Sequence, residues 1–351
     1  MTLLQETLKR IVPTEKQWEI KAQNHLDDLT KPLGSLGVLE DIARKVISIY
    51  EGNSPSLQKK VVFTFAADHG ITAEGVSAYP KAVTAQMVLN FLRGGAAINV
   101  LARHVGSDVV VVDAGVDYEF QGIEGLVHRK VVRGTRNFLE VPAMSEQEAI
   151  LSIELGIELG DAYCKRGYRL FGTGDMGIGN TTPSSAITAA ITGSPVSTVT
   201  GRGTGIDDLA LLNKVKVIER ALSLHRPDPT NAIDVLSKVG GAEIGAIAGL
   251  ILAVAANRQV VLIDGFISTA GAIIAYTLKP EVKDYMFASH MSVEGGHAIA
   301  LSHLGLRPIL DLNMRLGEGT GAALAMPIVE AALKIYCEMA TFSGAGVSKR
   351  L

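Results

Sequence analysis

Three glycine-rich segments carry the groups best suited to chemistry. The first runs Gly172-Thr173-Gly174-Asp175-Met176-Gly177-Ile178-Gly179-Asn180-Thr181-Thr182-Pro183. It follows an apolar run and leads into a helical pattern, so its glycines free backbone amides at a helix N-terminus. That is a ready anion site. Asn180, Thr181 and Thr182 add side-chain donors, and a phosphate is the natural guest. A tight strand–helix turn that binds nothing is the plain alternative, and the clustering of polar side chains with glycines weighs against it. Gly172, Gly174 and Gly177 match G-x-G-x-x-G, but the dinucleotide fingerprint also needs an acid about 20 residues on for the ribose. No Asp or Glu occurs from Ile178 to Ile206, and no Lys precedes Thr181, so neither a dinucleotide site nor a Walker A loop is indicated. The second segment, Gly201-Arg202-Gly203-Thr204-Gly205, is built alike and ends at Asp207-Asp208. Asp207 suits a helix cap better than a metal. Lys214 follows about two helical turns further, where a lone Lys is ordinarily a solvated surface charge. The third, Arg315-Leu316-Gly317-Glu318-Gly319-Thr320-Gly321, sets one carboxylate among glycines ahead of a helix. The residues alone leave two readings open for Glu318: an acid projecting into a cleft, or one favoured by the helix dipole.

These groups need elements to hold them. Short apolar runs recur at 61–67, 108–114, 169–171, 197–200, 259–263 and 285–288, each ending in Asp, Gly or Ser-His. Most are nearly continuous in hydrophobicity, as strands covered on both faces are. Helical patterns lie between them, at 38–50 and, opened by the Ser145/Glu148 capping box, at 146–166. Thr14 and Gln17 form a second candidate box after Pro13. Alternating β and α runs predict a doubly wound, mostly parallel sheet. Ligands bind beyond the carboxyl ends of such strands, where Asp68, Asp113, Gly172–Asn180, Gly201–Gly205, Asp264 and Ser289–Ser292 gather. Helices near both chain ends are expected to pack as a small lobe.

Composition narrows the classes. A net charge of −3, with no dense basic run, gives no footprint for nucleic acid. The longest apolar run, 244–256, is shorter than the roughly 20 residues that span a bilayer, and residues 1–10 lack the order of a signal peptide. A cytoplasmic protein without membrane or nucleic-acid partners is expected. Cys164 and Cys337 form no C-x-x-C pair and read as buried reduced thiols. His69, His290 and His297 have no H-x-x-x-H spacing and read as structural.

Nine ordered motifs give the chain a resemblance to the nicotinate-nucleotide–dimethylbenzimidazole phosphoribosyltransferases along nearly its whole length. They are the 29–37 stretch LTKPLGSLG, 67–70 ADHG, Gly75-Val76-Ser77, Val83-Thr84-x-Gln86-Met87, the 174–182 loop, 201–205, Asp264-Gly265-Phe266, Ser289-His290-x-Ser292-x-Glu294 and 316–321. The resemblance implies a Rossmann-like α/β domain over 56–319 with helices on both faces. It implies a small helical lobe from 1–55 with 320–351, and a homodimer with active sites near the subunit interface. The partners it implies are nicotinate mononucleotide and 5,6-dimethylbenzimidazole or a related base. The products are α-ribazole 5′-phosphate and nicotinate, with inversion at the anomeric carbon. Glu318 matches the family's general base. Gly177, Ile178, Gly179, Asn180, Thr181, Gly205, Lys214 and Ser292 fall where the family holds the phosphoribosyl group, and Ser77, Gln86, Met176 and Leu316 match its base pocket. The family usually has Glu in place of Asp175. A nearby anion there stabilises an oxocarbenium-like sugar. No metal or cofactor is expected, because a pyridinium departs as a neutral ring and no strand ends in a paired-acid signature. Two rivals stand beside this reading: an NAD-dependent oxidoreductase, weakened by the missing ribose acid, and a non-catalytic sensor of a nucleotide or benzimidazole.

Overall fold

The computed structural model describes residues 2–348; Met1 and residues 349–351, the outermost parts of the expected lobe, lie outside them. Seven parallel strands form one sheet: β1 Lys60–Ala67, β2 Asp108–Gly115, β3 Leu126–His128, β4 Leu170–Met176, β5 Val260–Ile263, β6 Met286–Ser292 and β7 Pro308–Met314. Their spatial order is β3-β2-β1-β4-β5-β6-β7. The order reverses between β1 and β4, which is the switch point where such sheets open a ligand crevice. Every residue of β1 and β5 is buried, in keeping with helices on both faces.

The apolar run at 244–256 lies in helix Ala242–Ala256, buried almost throughout and packed on helix Glu146–Lys165. Gly156 and Gly249 let these two backbones meet: a Cβ on Gly156 would lie 1.9 Å from the Ala246 carbonyl oxygen. The Ser145/Glu148 box caps Glu146–Lys165 as expected, with Ser145 Oγ accepting from the Glu148 amide at 3.2 Å. At the chain ends, helix Lys16–Asp28 packs on Val38–Ile49, which packs on Thr320–Glu338. Leu29 and Thr341 pair as an isolated antiparallel bridge. Helix Leu3–Arg10 lies instead against Glu146–Lys165 and Ala242–Ala256. Thr320–Glu338 is, by length and composition, apolar enough to cross a membrane; half of that window is buried inside the fold.

Several local expectations are corrected. Thr14 and Gln17 form no capping box: the helix begins at Lys16 with Glu15 at its N-cap, and the Thr14 amide and hydroxyl both donate to Asp284. The 197–200 run is a short helix, Val196–Val199, because Val196 and Val199 bury themselves against helix Gly295–Leu304. Strand β4 continues through Gly172 and Gly174 to Met176 instead of ending at Phe171. Cys337 is exposed, on the outer side of the last long helix, while Cys164 is half-buried.

Candidate active site

Gly172 and Gly174 sit inside β4 because the acid segment packs across it. A Cβ on Gly174 would lie 2.4 Å from the Glu318 carbonyl oxygen, and one on Gly172 would lie 3.0 Å from the Ala322 Cβ. Glycine in a strand interior marks this kind of close backbone approach. Gly174→Ala therefore drives backbone against backbone. A cost of about 1–3 kcal/mol is expected, read as a lower melting temperature. Loss of turnover should exceed what the unfolded fraction explains, because Glu318 moves with its main chain.

The acid turn is strained and pinned. Gly317, Glu318 and Gly319 take φ values of 83°, 65° and 95°. The two glycines adopt that region freely, while Glu318 pays a cost of the kind that clusters at functional sites. The surroundings impose the shape. The Glu318 amide donates to the Asp175 carbonyl at 3.2 Å, and Thr64 Oγ1 donates to the Glu318 carbonyl at 2.9 Å. Asp264, at the end of β5, accepts from the Gly319, Gly321 and Ala322 amides at 3.1, 2.7 and 3.0 Å. That carboxylate is thus committed to the N-terminus of Thr320–Glu338. Glu318 is 5% exposed, and its Oε2 accepts from the Ile98 amide at 3.1 Å. Ile98 belongs to the first turn of helix Ala97–Val105. Burial raises the Glu318 carboxyl above its ordinary range; the Ile98 bond opposes this and the Asp264 charge adds to it.

The acid faces a cavity of about 450 Å³ at the switch point. Across it, Gly177–Thr181 form the turn into helix Thr181–Thr192. Asp175 joins the two sides: its Oδ2 accepts from Asn180 Nδ2 at 2.9 Å, while its buried Oδ1 has no partner. Burial first, then the Asp264 charge, pushes Asp175 well above the usual carboxylate range.

Of the residues singled out in the sequence, Asp175, Met176, Gly177, Ile178, Gly179, Asn180, Thr181, Ser292, Leu316 and Glu318 border this cavity. Four do not. Lys214 is completely buried behind Thr181, its Nζ donating to Thr181 Oγ1 at 2.7 Å and to the Gly201 carbonyl at 3.3 Å. It is no solvated surface lysine: burial lowers its pKa to about 8 against the raising effect of Glu294. Gly205 lies in the neighbouring turn with φ 98°. Ser77 is outside the wall but bonds Thr204, which is part of it, at 3.2 Å. Gln86 is exposed, about one turn from the lining residue Val83 and next in sequence to the lining residue Met87. Asp207 is the helix cap expected, accepting from the Ala210 amide at 2.9 Å. Tyr79, Met87, Phe266, Glu294 and Arg315 also border the cavity and were not foreseen as site residues.

The histidines divide. His69 Nε2 meets Glu243 Oε1 at 2.6 Å in full burial. His297 accepts from the Ser292 amide through Nδ1, with Thr269 at its other nitrogen. His290 departs from the purely structural reading, because it borders the cavity and its Nδ1 has no partner.

Fold and site define the class: a doubly wound α/β enzyme with a glycine-rich turn at a helix N-terminus facing a buried acid across a switch-point cavity. A family model described as Phosphoribosyltransferase matches residues 11–347. The nicotinate-nucleotide–dimethylbenzimidazole phosphoribosyltransferase of Geobacter sulfurreducens is 59% identical over 99% of both chains. That of Chloroflexus aggregans is 55% identical over 100% of this chain and 99% of its own. The solved structure of the Thermus thermophilus enzyme of that name superposes with a TM-score of 0.91 at 44% identity, covering 96% of this chain and all of the other. The chain belongs to the nicotinate-nucleotide–dimethylbenzimidazole phosphoribosyltransferase family.

Proposed function

We propose that the switch-point cavity joins nicotinate mononucleotide to 5,6-dimethylbenzimidazole or a related flat base, with Glu318 as the proton acceptor. The chain is a phosphoribosyltransferase, as its full-length likeness to the named enzymes supports. The observation that carries the site reading is the meeting, in one cavity, of the Gly177–Thr181 turn and the Glu318 carboxyl.

In this reading the turn takes the phosphate, with helix N-terminal amides and Thr181, backed by Lys214, as donors. Met176, Met87 and Leu316 give the incoming base apolar contact and hold it in line with the anomeric carbon. One ring nitrogen forms the new C–N bond as the bond to the pyridinium nitrogen breaks. The electron pair of that bond leaves with nicotinate, and the proton on the second ring nitrogen passes to Glu318. Attack opposite the leaving ring converts a β linkage to an α one. Asp175 lies beside the reacting centre. In a protonated state it donates a hydrogen bond, and when ionised it stabilises the positive sugar.

Chromatography tests the reading. Purified protein should release nicotinate from the mononucleotide only when the benzimidazole is added, and form α-ribazole 5′-phosphate in equal amount. Binding of both compounds without release would leave a sensor, not an enzyme. Pairing of two copies and a cytoplasmic setting belong to the same proposal; sedimentation at assay concentrations reads the first, and fractionation of the source cells the second.

A further inference from the structure

We infer that Glu294 is the ribose-binding acid of this cavity, accepting a hydrogen bond from a hydroxyl of the mononucleotide's sugar. The inference rests on the mononucleotide reading above and names a contact within it.

Glu294 follows strand β6 and stands before helix Gly295–Leu304. It borders the cavity yet is only 7% exposed. It occupies the helix N-cap, but its side chain makes no cap bond. Its Oε2 is buried and has no hydrogen-bond partner. An unsatisfied acceptor in such a place is costly; the Lys214 charge offsets part of that cost, and a hydroxyl donor arriving with the ligand at the cavity edge would offset more. The fold also makes room for it: a Cβ on Gly201 would lie 2.0 Å from Glu294 Oε2. Gly201 has no left-handed φ to explain its glycine; the packed carboxyl does.

Its neighbours say which part of the ligand it meets. Lys214 Nζ reaches the Gly201 carbonyl at 3.3 Å, so Glu294 and the buried ammonium flank the same turn. Ser292 and Thr181 border the same cavity. A carboxylate accepts hydrogen bonds and donates none. It therefore repels the phosphate and the nicotinate carboxylate, the two anionic ends of the substrate. The sugar hydroxyls between them are the O–H donors it can take. Dinucleotide-binding sheets solve the same problem with an acid on the ribose. This chain lacks one within the first βα unit after its glycine turn, and supplies one from the end of β6 instead.

The test compares nicotinate mononucleotide with its 2′-deoxy and 3′-deoxy forms, in the wild type and in Glu294→Gln and Glu294→Ala. In the wild type at least one deoxy form should raise KM about tenfold or more, the size of a hydrogen bond to a charged group. That penalty should shrink in the Gln protein, which keeps a neutral acceptor, and vanish in the Ala protein. The melting temperature of either free variant should fall somewhat, because the Glu294 charge that offsets the burial of the Lys214 ammonium is lost; the deoxy comparison, and not stability, therefore carries the test. A deoxy penalty as large in either variant as in the wild type overturns the inference, as does a wild type indifferent to both deoxy forms. Should the Ala protein fail to fold, the Gln protein alone decides by the same comparison. Absence of nicotinate release from the wild type would fail the transferase reading separately. Calorimetric binding of the three mononucleotides would then still test Glu294.

Discussion

The Glu318→Gln protein is expected to turn over about 10²–10⁴-fold more slowly than the wild type while still binding both substrates. Glutamine fills the same space and keeps an oxygen able to accept from the Ile98 amide, now held by Glu318 Oε2 at 3.1 Å. What it loses is basicity. Single-turnover release of nicotinate reads the chemical step, and calorimetry with each substrate shows that binding persists. The pH profile separates a base from a merely structural acid. Burial holds the free-enzyme carboxyl above its ordinary value of 4.5. Activity that needs the ionised form is lost as pH falls through that raised pKa, so the acid limb lies above pH 4.5 and disappears in the Gln protein. Stability runs the other way. A carboxyl whose folded pKa is raised binds more protons folded than unfolded, so its ionisation costs stability as pH rises through the interval. At neutral pH the Gln protein should therefore melt no lower than the wild type. Near-wild-type turnover would remove Glu318 as the base.

The sheet and the polar rim at its strand ends were readable because parallel strands buried on both faces leave long apolar runs, each stopping where polar residues begin. Glu318 and the 177–181 turn stood out by local chemistry, glycines beside polar groups. What stayed hidden depends on segments far apart in the chain. Gly172 and Gly174 look like loop glycines, but the segment that needs their missing Cβ atoms arrives only at 318–322. Lys214 looks like a surface charge on an exposed helix; its burial comes from the 201–203 turn folding over it. Glu294 appears in a motif, yet nothing local shows that its oxygen lacks a donor. Strand β7 escaped because it is a half-exposed edge with polar residues such as Asp311 and Asn313, and so lacks the apolar signature of the inner strands. Asp264 was read as a lone acid at a strand end; three backbone amides from a distant helix occupy it.

Lys214→Met should raise KM for the mononucleotide about ten- to hundred-fold and lower kcat less. The ammonium lies behind Thr181 and binds its hydroxyl at 2.7 Å, so it both orients that hydroxyl and supplies positive charge beneath the turn proposed to take the phosphate. A hydrogen bond to a charged group is worth about 1.5–3 kcal/mol, and each 1.4 kcal/mol is about tenfold in affinity. The charge itself is conditional, because burial brings the Lys214 pKa down to about 8. Above that pH the free wild type loses the proton, and its KM should climb toward a tenfold rise per pH unit. A bound phosphate restores the proton by opposing burial, so kcat should hold to higher pH than kcat/KM. The Met protein has no such proton, and its weak binding should show no break near pH 8. The sign for stability follows from the same shift. The folded pKa lies below the unfolded one, so the unfolded chain binds more protons between about 8 and the ordinary 10.5. Wild-type stability gains from this site as pH rises through that window, and below it the full cost of burying the charge is present. Methionine removes that cost, so the free Met protein should melt no lower than the wild type at about pH 7 even as it binds substrate poorly. A Met protein with unchanged KM and an unchanged break near pH 8 would show that the ammonium only ties the two glycine turns together and that the phosphate is held by main-chain amides alone.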